Sequence, residues 1–134
     1  LDGMDMAFCA INDEELIYSG AHMSVALYKN NQLNILKGNK YSIGELPGNT
    51  GAKFEDYKEN IEKGNILYLF SDGYQDQMGG INNNPIKMQN FYDLLREINH
   101  LPMKEQKEFL ENYLEKWKKD NPQTDDILVA AIKF

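Results

Sequence analysis

Asn65-Ile66-Leu67-Tyr68-Leu69-Phe70-Ser71-Asp72-Gly73 is the stretch on which the reading of this chain turns. Its apolar core, residues 66–70, is short and rich in aromatic and branched side chains, which suits a buried strand better than a helix. The strand runs straight into Ser-Asp-Gly, so a carboxylate stands at its end. A second pair of carboxylates, Asp125-Asp126, opens the last apolar run, Ile127-Leu128-Val129-Ala130-Ala131-Ile132. Carboxylates make poor packing residues, because an unpaired buried charge is costly. They make good oxygen ligands for a hard divalent cation, and the end of a strand holds a ligand rigidly. Asp72 and Asp125 are far apart in sequence, but neighbouring strands bring such positions together. The combination points to a metal-assisted hydrolase.

Length and composition fit that reading. A chain of 134 residues is one domain, able to bury a core without disulfide staples. Apolar residues at 42%, charged residues at 26% and aromatics at 11% describe a soluble globular chain. The net charge of −7 comes from mixed acidic and basic residues, with no basic stripe to neutralise the phosphates of a nucleic acid. Cys9 is the single cysteine, so no intramolecular disulfide forms and a reducing cytoplasm is the expected location. No apolar run approaches the roughly 20 residues of a membrane span, and none resembles a signal peptide, so direct membrane contact is not expected. The first residue is Leu1 rather than methionine, and a strand-like run follows within a few residues. The chain is therefore read as a piece of something longer, whose first strand has lost partners.

The first half reads as β. Residues 4–11 read as an apolar strand, with Met4, Met6 and Ala7 leaving a helix as the alternative, and Asn12-Asp13-Glu14-Glu15 as a polar turn into the strand Leu16-Ile17-Tyr18-Ser19. Gly20-Ala21-His22 interrupts, and Ser24-Val25-Ala26-Leu27-Tyr28 resumes. Asn30-Asn31 suits a tight hairpin, because asparagine tolerates positive φ, and Leu33-Asn34-Ile35-Leu36 returns as its partner. Residues 38–51 carry four glycines and a proline and read as a loop. Residues 53–61 read as an exposed edge strand whose charges discourage further pairing. The second half reads as helical until its end. Met88, Phe91, Leu94, Leu95 and Ile98 form one helical stripe; Gln106, Leu110, Tyr113, Leu114 and Trp117 form another, opened by Pro102. Asn121-Pro122 stops the second helix, and Thr124-Asp125-Asp126 leads into the last strand. Strands, two helices and a strand make an α+β fold, with helices covering a mostly antiparallel sheet.

Four features in this order, Gly20-Ala21-His22, Ile43-Gly44, the strand ending in Ser71-Asp72-Gly73, and Asp125-Asp126 before a terminal strand, resemble the metal-dependent type-2C (PPM) serine/threonine protein phosphatases. The stretches Asp2-Gly3-Met4-Asp5, residues 68–74 and His100-Leu101-Pro102-Met103 are similar to the SpoIIE-like bacterial branch of that superfamily, over essentially the whole chain. The resemblance implies an α-β-β-α sandwich whose aspartates hold two Mg²⁺ or Mn²⁺ ions, and hydrolysis of phosphoserine or phosphothreonine. By position it makes Asp72 and Asp125 metal ligands, with Asp126, where relatives have Asp or Asn, a further one; Gly73 is expected to allow the turn after Asp72. The implied partner is a phosphorylated regulatory protein in bacterial signalling. The Asp-Gly-His-Gly segment and an upstream acidic ligand of that family have no counterpart here, since Asp2-Gly3 is followed by Met4-Asp5, and Ser42 stands where relatives often have proline. The chain is thus expected to be the C-terminal part of a phosphatase domain, inactive by itself and prone to self-association through residues 4–11.

Plainer readings stand beside these. An Asp-Gly after a strand is commonly a turn, and Asp125-Asp126 alone could cap a strand or pair with lysines. It is their joint placement that favours a metal site. His22 reads as structural, His100 as solvated, Cys9 as a small core residue. The segment 48–53 lacks the spacing and following helix of a phosphate-binding loop, and Glu55, Asp56 and Glu59 read as a solvated face. The rival function is a non-catalytic docking module with a degenerate phosphatase fold.

Overall fold

The computed structural model describes residues 3–44 and 53–134. Strand β1 (Met6–Ile11) turns into β2 (Glu15–Ala21) around Asn12. The Asn12 Oδ1 accepts from the backbone N–H groups of Glu14 and Glu15 at 2.9 and 2.8 Å, which satisfies the turn locally. Strands β3 (Val25–Lys29) and β4 (Gln32–Leu36) are joined through Asn30 and Asn31 at φ 52° and 59°, the left-handed pair that a two-residue hairpin requires. Strand β5 (Asp56–Asn60) and strand β6 (Ile66–Phe70) follow. Then come the short helix α1 (Gly73–Asp76), a small ribbon of β7 (Met78–Gly79) and β8 (Asn84–Pro85), helices α2 (Met88–Ile98) and α3 (Met103–Lys118), and β9 (Val129–Lys133).

These elements make two antiparallel sheets, one in the order β1-β2-β5 and the other β4-β3-β6-β9. Alternation along the strands assigns each side chain to one of two cores. Leu16 and Tyr18 from the first sheet meet Val25, Leu27, Leu36 and Leu67 from the second, filling the space between the sheets. On the far side of the second sheet, Ile66, Tyr68 and Phe70 pack under Phe91, Leu94, Leu95 and Ile98 of α2 and Leu110 of α3. Lys29 on β3 reaches across to Glu59 on β5 at 2.9 Å and to the Asn60 carbonyl at 3.0 Å, so Glu59 is half-buried in an ion pair between the sheets rather than on a solvated face.

The helical core has a polar centre. The Tyr68 hydroxyl donates to Gln106 Oε1 at 2.7 Å, and Gln106 Nε2 donates to the carbonyl of Leu101 at 2.8 Å and, more weakly, to that of Asn99 at 3.3 Å. Gln106 is 2% exposed. Its amide is tolerated there because both ends are bonded, and it ties the turn between α2 and α3 to the sheet. Burial pushes the Tyr68 phenol up, despite the opposing pull of Gln106, so the hydroxyl stays a neutral donor.

Several expectations need adjusting. Helix α3 begins one residue after Pro102, which precedes it with φ −55°. On that helix Gln106 and Leu110 are buried, while Tyr113, Leu114 and Trp117 are only partly covered. The last strand starts at Val129 rather than Ile127. The glycine-rich stretch 48–52 and Asp2 lie outside the described residues. Among the described residues, no helix is long and apolar enough to cross a membrane.

Both helices cover the second sheet. On the first sheet, Ala7 and Cys9 point into the core between the sheets, leaving Met4, Met6, Phe8 and Ala10 on the outer face. Met4 is 53% exposed and Phe8 61%, and Ile17 on β2 adjoins the row.

Tyr68→Phe leaves Gln106 Oε1 buried without a donor, so unfolding in denaturant should show a loss of about 1–3 kcal/mol. In Tyr68→Phe with Gln106→Leu the two effects should fall short of additive. The apolar outer face gives a second expectation: the 134-residue chain made alone should associate with rising concentration in sedimentation. Phe8→Glu should abolish that association, and a monomer at high concentration for the unaltered chain would contradict it.

Candidate metal centre

Strands β6 and β9 are antiparallel neighbours, with Phe70 opposite Val129 at the last rung. Beyond that rung a side chain takes over from the backbone. The Ser71 N–H donates to the Leu128 carbonyl at 3.0 Å, but the Leu128 N–H donates to Ser71 Oγ at 2.9 Å instead of to a backbone carbonyl. This substitution is why the ladder stops at Val129 and why Ile127 and Leu128 are not part of the strand. The Ser71 hydroxyl in turn donates to the Asp126 carbonyl at 2.8 Å.

Gly73 completes the contact from the other side. It lies in α1 and its φ is not positive, so the turn-making role expected of it does not apply. What it supplies is space: a Cβ at this position would run into the carbonyl group of Asp126 and approach the Ile127 side chain at 3.2 Å. Ser71 and Gly73, on either side of Asp72, thus pack directly on the backbone that carries Asp126.

Neither Asp72 nor Asp125 lies within a strand. Asp72 sits two residues past β6, at the start of α1, with φ −73° and ψ −20°; its carbonyl accepts from the Asp76 N–H at 3.0 Å and its carboxylate makes no capping bond. Asp125 and Asp126 lie on the segment that enters β9, at the same end of the sheet. Asp125 Oδ1 accepts from the Asp126 N–H at 2.7 Å, and the Asp125 carbonyl accepts from Gln123 Nε2 at 2.8 Å. All three carboxylates are exposed. Among the described residues, none of the three is in an ion pair, and no three His, Cys, Asp or Glu side chains gather closely enough to hold a cation by themselves.

The donor chemistry nevertheless fits a hard cation. Carboxylate oxygens, with water or phosphate oxygens completing the shell, suit Mg²⁺ or Mn²⁺, whereas zinc favours Cys and His. Cys9 faces the core between the sheets, where burial pushes its thiol up, and His22 and His100 are exposed. His22 takes a left-handed φ of 55° and its N–H donates to the Asn39 carbonyl at 2.9 Å, a structural use of the backbone.

The ribbon following α1 has no counterpart in the sequence reading. It is fastened to α3: Trp117 Nε1 donates to the Gln77 carbonyl at 3.1 Å, the Gly80 N–H donates to the Trp117 carbonyl at 2.8 Å, and a Cβ on Gly79 would collide with that carbonyl. Gly79-Gly80 and Asn82-Asn83-Asn84 are the signal that would have marked it, as turn residues between short paired segments. A cavity of about 400 Å³ lies between α3 and β9, lined by Tyr68, Tyr74, Leu110, Val129 and Ala131 among others. It is mainly apolar, and Asp72, Asp125 and Asp126 do not line it. The Tyr74 phenol, pushed up by burial, stays neutral and donates to the Leu110 carbonyl at 2.9 Å.

Comparison with known proteins agrees with this architecture. The family model for stage II sporulation protein E (SpoIIE) matches residues 4–134. No significant match is found among curated proteins. Of solved structures, the SiaA-PP2C domain of Pseudomonas aeruginosa superposes with a TM-score of 0.77 at 28% identity, covering 90% of this chain and 46% of that one. The phosphatase domain of the cell fate determinant SpoIIE from Bacillus subtilis, presoaked with Mn, gives a TM-score of 0.61 at 13% identity, covering 98% of this chain and 56% of that one. A serine/threonine phosphatase of S. agalactiae gives 0.58 at 14%, covering 95% and 57%. The chain spans about half the length of the solved domains it matches.

Two glycines separate close approach from backbone strain. Gly73→Ala should destabilise by about 1–3 kcal/mol in chemical denaturation and shift the amide resonances of Asp126 and Ile127, because the methyl displaces their backbone. Gly64→Ala, at φ +94° with nothing within 4 Å of the new methyl, should cost about 1–2 kcal/mol through strain alone and leave those resonances in place.

Proposed function

This chain belongs to the SpoIIE family, and from that premise we propose that it forms part of a Mg²⁺- or Mn²⁺-dependent phosphatase acting on phosphoserine or phosphothreonine of a regulatory protein in bacterial signalling. The observation that carries this reading is the meeting of the segments that bear Asp72 and Asp126 at one end of the β6–β9 pair, through Ser71 and Gly73. Asp72 and Asp125 are the ligands proposed, with Asp126 beside them. Exposure suits that role, because a carboxylate left in water carries no burial penalty and keeps its lone pairs available. Bound divalent cations at such a site offset the charge of a phosphate monoester and lower the pKa of coordinated water. The contribution of the protein is placement: β6 and β9 fix the roots of the two segments, and an aspartate on each offers oxygen ligands in a site open to a phosphorylated side chain.

The substrate proposed is a phosphoprotein rather than a nucleic acid, in keeping with the net charge of −7. The cytoplasm is the proposed location, as the compartment of a signalling phosphatase and of a chain with one cysteine. Further ligands are proposed to come from the rest of the phosphatase domain, since this chain spans 46% of the SiaA-PP2C chain. By itself it is therefore expected to bind Mn²⁺ weakly and to turn over negligibly.

The full-length protein should hydrolyse phosphoserine peptides and para-nitrophenyl phosphate in the presence of Mn²⁺. Asp72→Asn and Asp125→Asn, which remove a charge while keeping shape, should each lower that turnover roughly a hundredfold. Absence of Mn²⁺-dependent turnover from the full-length protein would favour the docking module instead. Robust turnover by the 134-residue chain alone would show that the catalytic set lies elsewhere.

A further inference from the structure

The segments carrying the candidate ligands are joined twice, once on each side of the aspartates. The first joint is the Ser71 hydroxyl, which donates to the Asp126 carbonyl at 2.8 Å and accepts from the Leu128 N–H at 2.9 Å. The second is the Gln77 side chain, 1% exposed, whose Nε2 donates to the Pro122 carbonyl at 3.1 Å and to the Met78 carbonyl at 3.1 Å. The Gln77 backbone is anchored as well, its carbonyl accepting from Trp117 Nε1 at 3.1 Å. Between these joints lie Asp72 on one segment and Asp125 on the other.

We propose that Ser71 and Gln77 are positioning residues: their side chains close a hydrogen-bonded frame around residues 71–77 and 122–128 that sets the separation of the Asp72 and Asp125 carboxylates. The inference rests on the metal reading above and adds to it two residues that touch neither cation nor substrate. Packing alone does not account for their identity. Ser71 stands where the strand ladder would otherwise continue, and only a side chain that both donates and accepts can satisfy Asp126 and Leu128 together. Gln77 buries an amide, which is costly unless bonded, and one of its two bonds runs to Pro122, on the chain that leads into Asp125. The two segments are thereby held at fixed spacing, as a ligand set needs if it is to select a cation by geometry.

The test uses the full-length protein and Mn²⁺ alone as the probe, with binding followed by calorimetry and by the spin-resonance signal of free Mn²⁺. Ser71→Ala should weaken Mn²⁺ binding about tenfold, and Ser71→Thr, which keeps the hydroxyl, should restore it to within a few-fold. Gln77→Leu, which keeps the buried volume, should weaken binding to a similar extent and serves if Ser71→Ala folds poorly. Denaturant unfolding of each variant accompanies the titration. If Asp72→Asn weakens binding while Ser71→Ala and Gln77→Leu bind Mn²⁺ like the unaltered protein, the two residues are merely structural and the inference falls alone. If Asp72→Asn binds Mn²⁺ as well as the unaltered protein, the metal reading fails and takes the inference with it.

Discussion

Strand β6 lies between two cores, with Leu67 fully enclosed between the sheets and Ile66, Tyr68 and Phe70 under the helices. A strand buried on both faces cannot slip by one residue, because a slip would exchange every side chain between two differently shaped cores. Its register is therefore fixed, and so is that of β9, which pairs with it from Ile66–Lys133 to Phe70–Val129. Everything at the end of this pair inherits that precision. Asp72 is two residues past a locked strand, and Asp126 is three residues before its partner, so the core fixes where the two segments begin.

This placement also explains the residues around Asp72. Ser71 ends the ladder by substituting a hydroxyl for a backbone carbonyl, and Gly73 leaves room for the Asp126 peptide. A larger residue at 73 would press on the Asp126 peptide, and one without a hydroxyl at 71 would leave the Asp126 carbonyl and the Leu128 N–H without this partner. The Ser-Asp-Gly triplet is thus a single device, in which the outer two residues hold the opposite chain and the middle one is left free.

The elements set by hydrophobic pattern were legible in the sequence. Strand β6, the hairpin through Asn30-Asn31, the charged edge strand β5 and the buried stripe of α2 follow from periodicity and turn chemistry, which act over a few residues. The α+β class was legible for the same reason, and the family resemblance through the order of its short motifs, from Gly20-Ala21-His22 to Asp125-Asp126. What the sequence did not disclose depends on contacts between distant residues. The ribbon of β7 and β8 has only two residues in each strand and holds its shape through Trp117, some 40 positions away. The need for glycine at 73 comes from Asp126, and the pairing of Glu59 comes from Lys29; neither leaves a local signal. The candidate ligands were recognised as residues, but the hydroxyl and amide that tie their segments together were not.

Some carboxylates of this chain have partners within the fold. Glu59 is held by Lys29, Asp93 by Arg96 and Asp5 by the Ser42 hydroxyl, so each has a use within the fold. Asp72 and Asp126 have no such partner among the described residues, although the backbone on both sides of them is tightly fixed. On the proposed metal reading, a fixed main chain with unpaired carboxylates suits a partner that arrives from outside, and for oxygen anions a hard cation is such a partner. The proposal therefore rests on the conjunction of unpaired carboxylates with a hydrogen-bonded backbone at this end of the sheet, rather than on either alone.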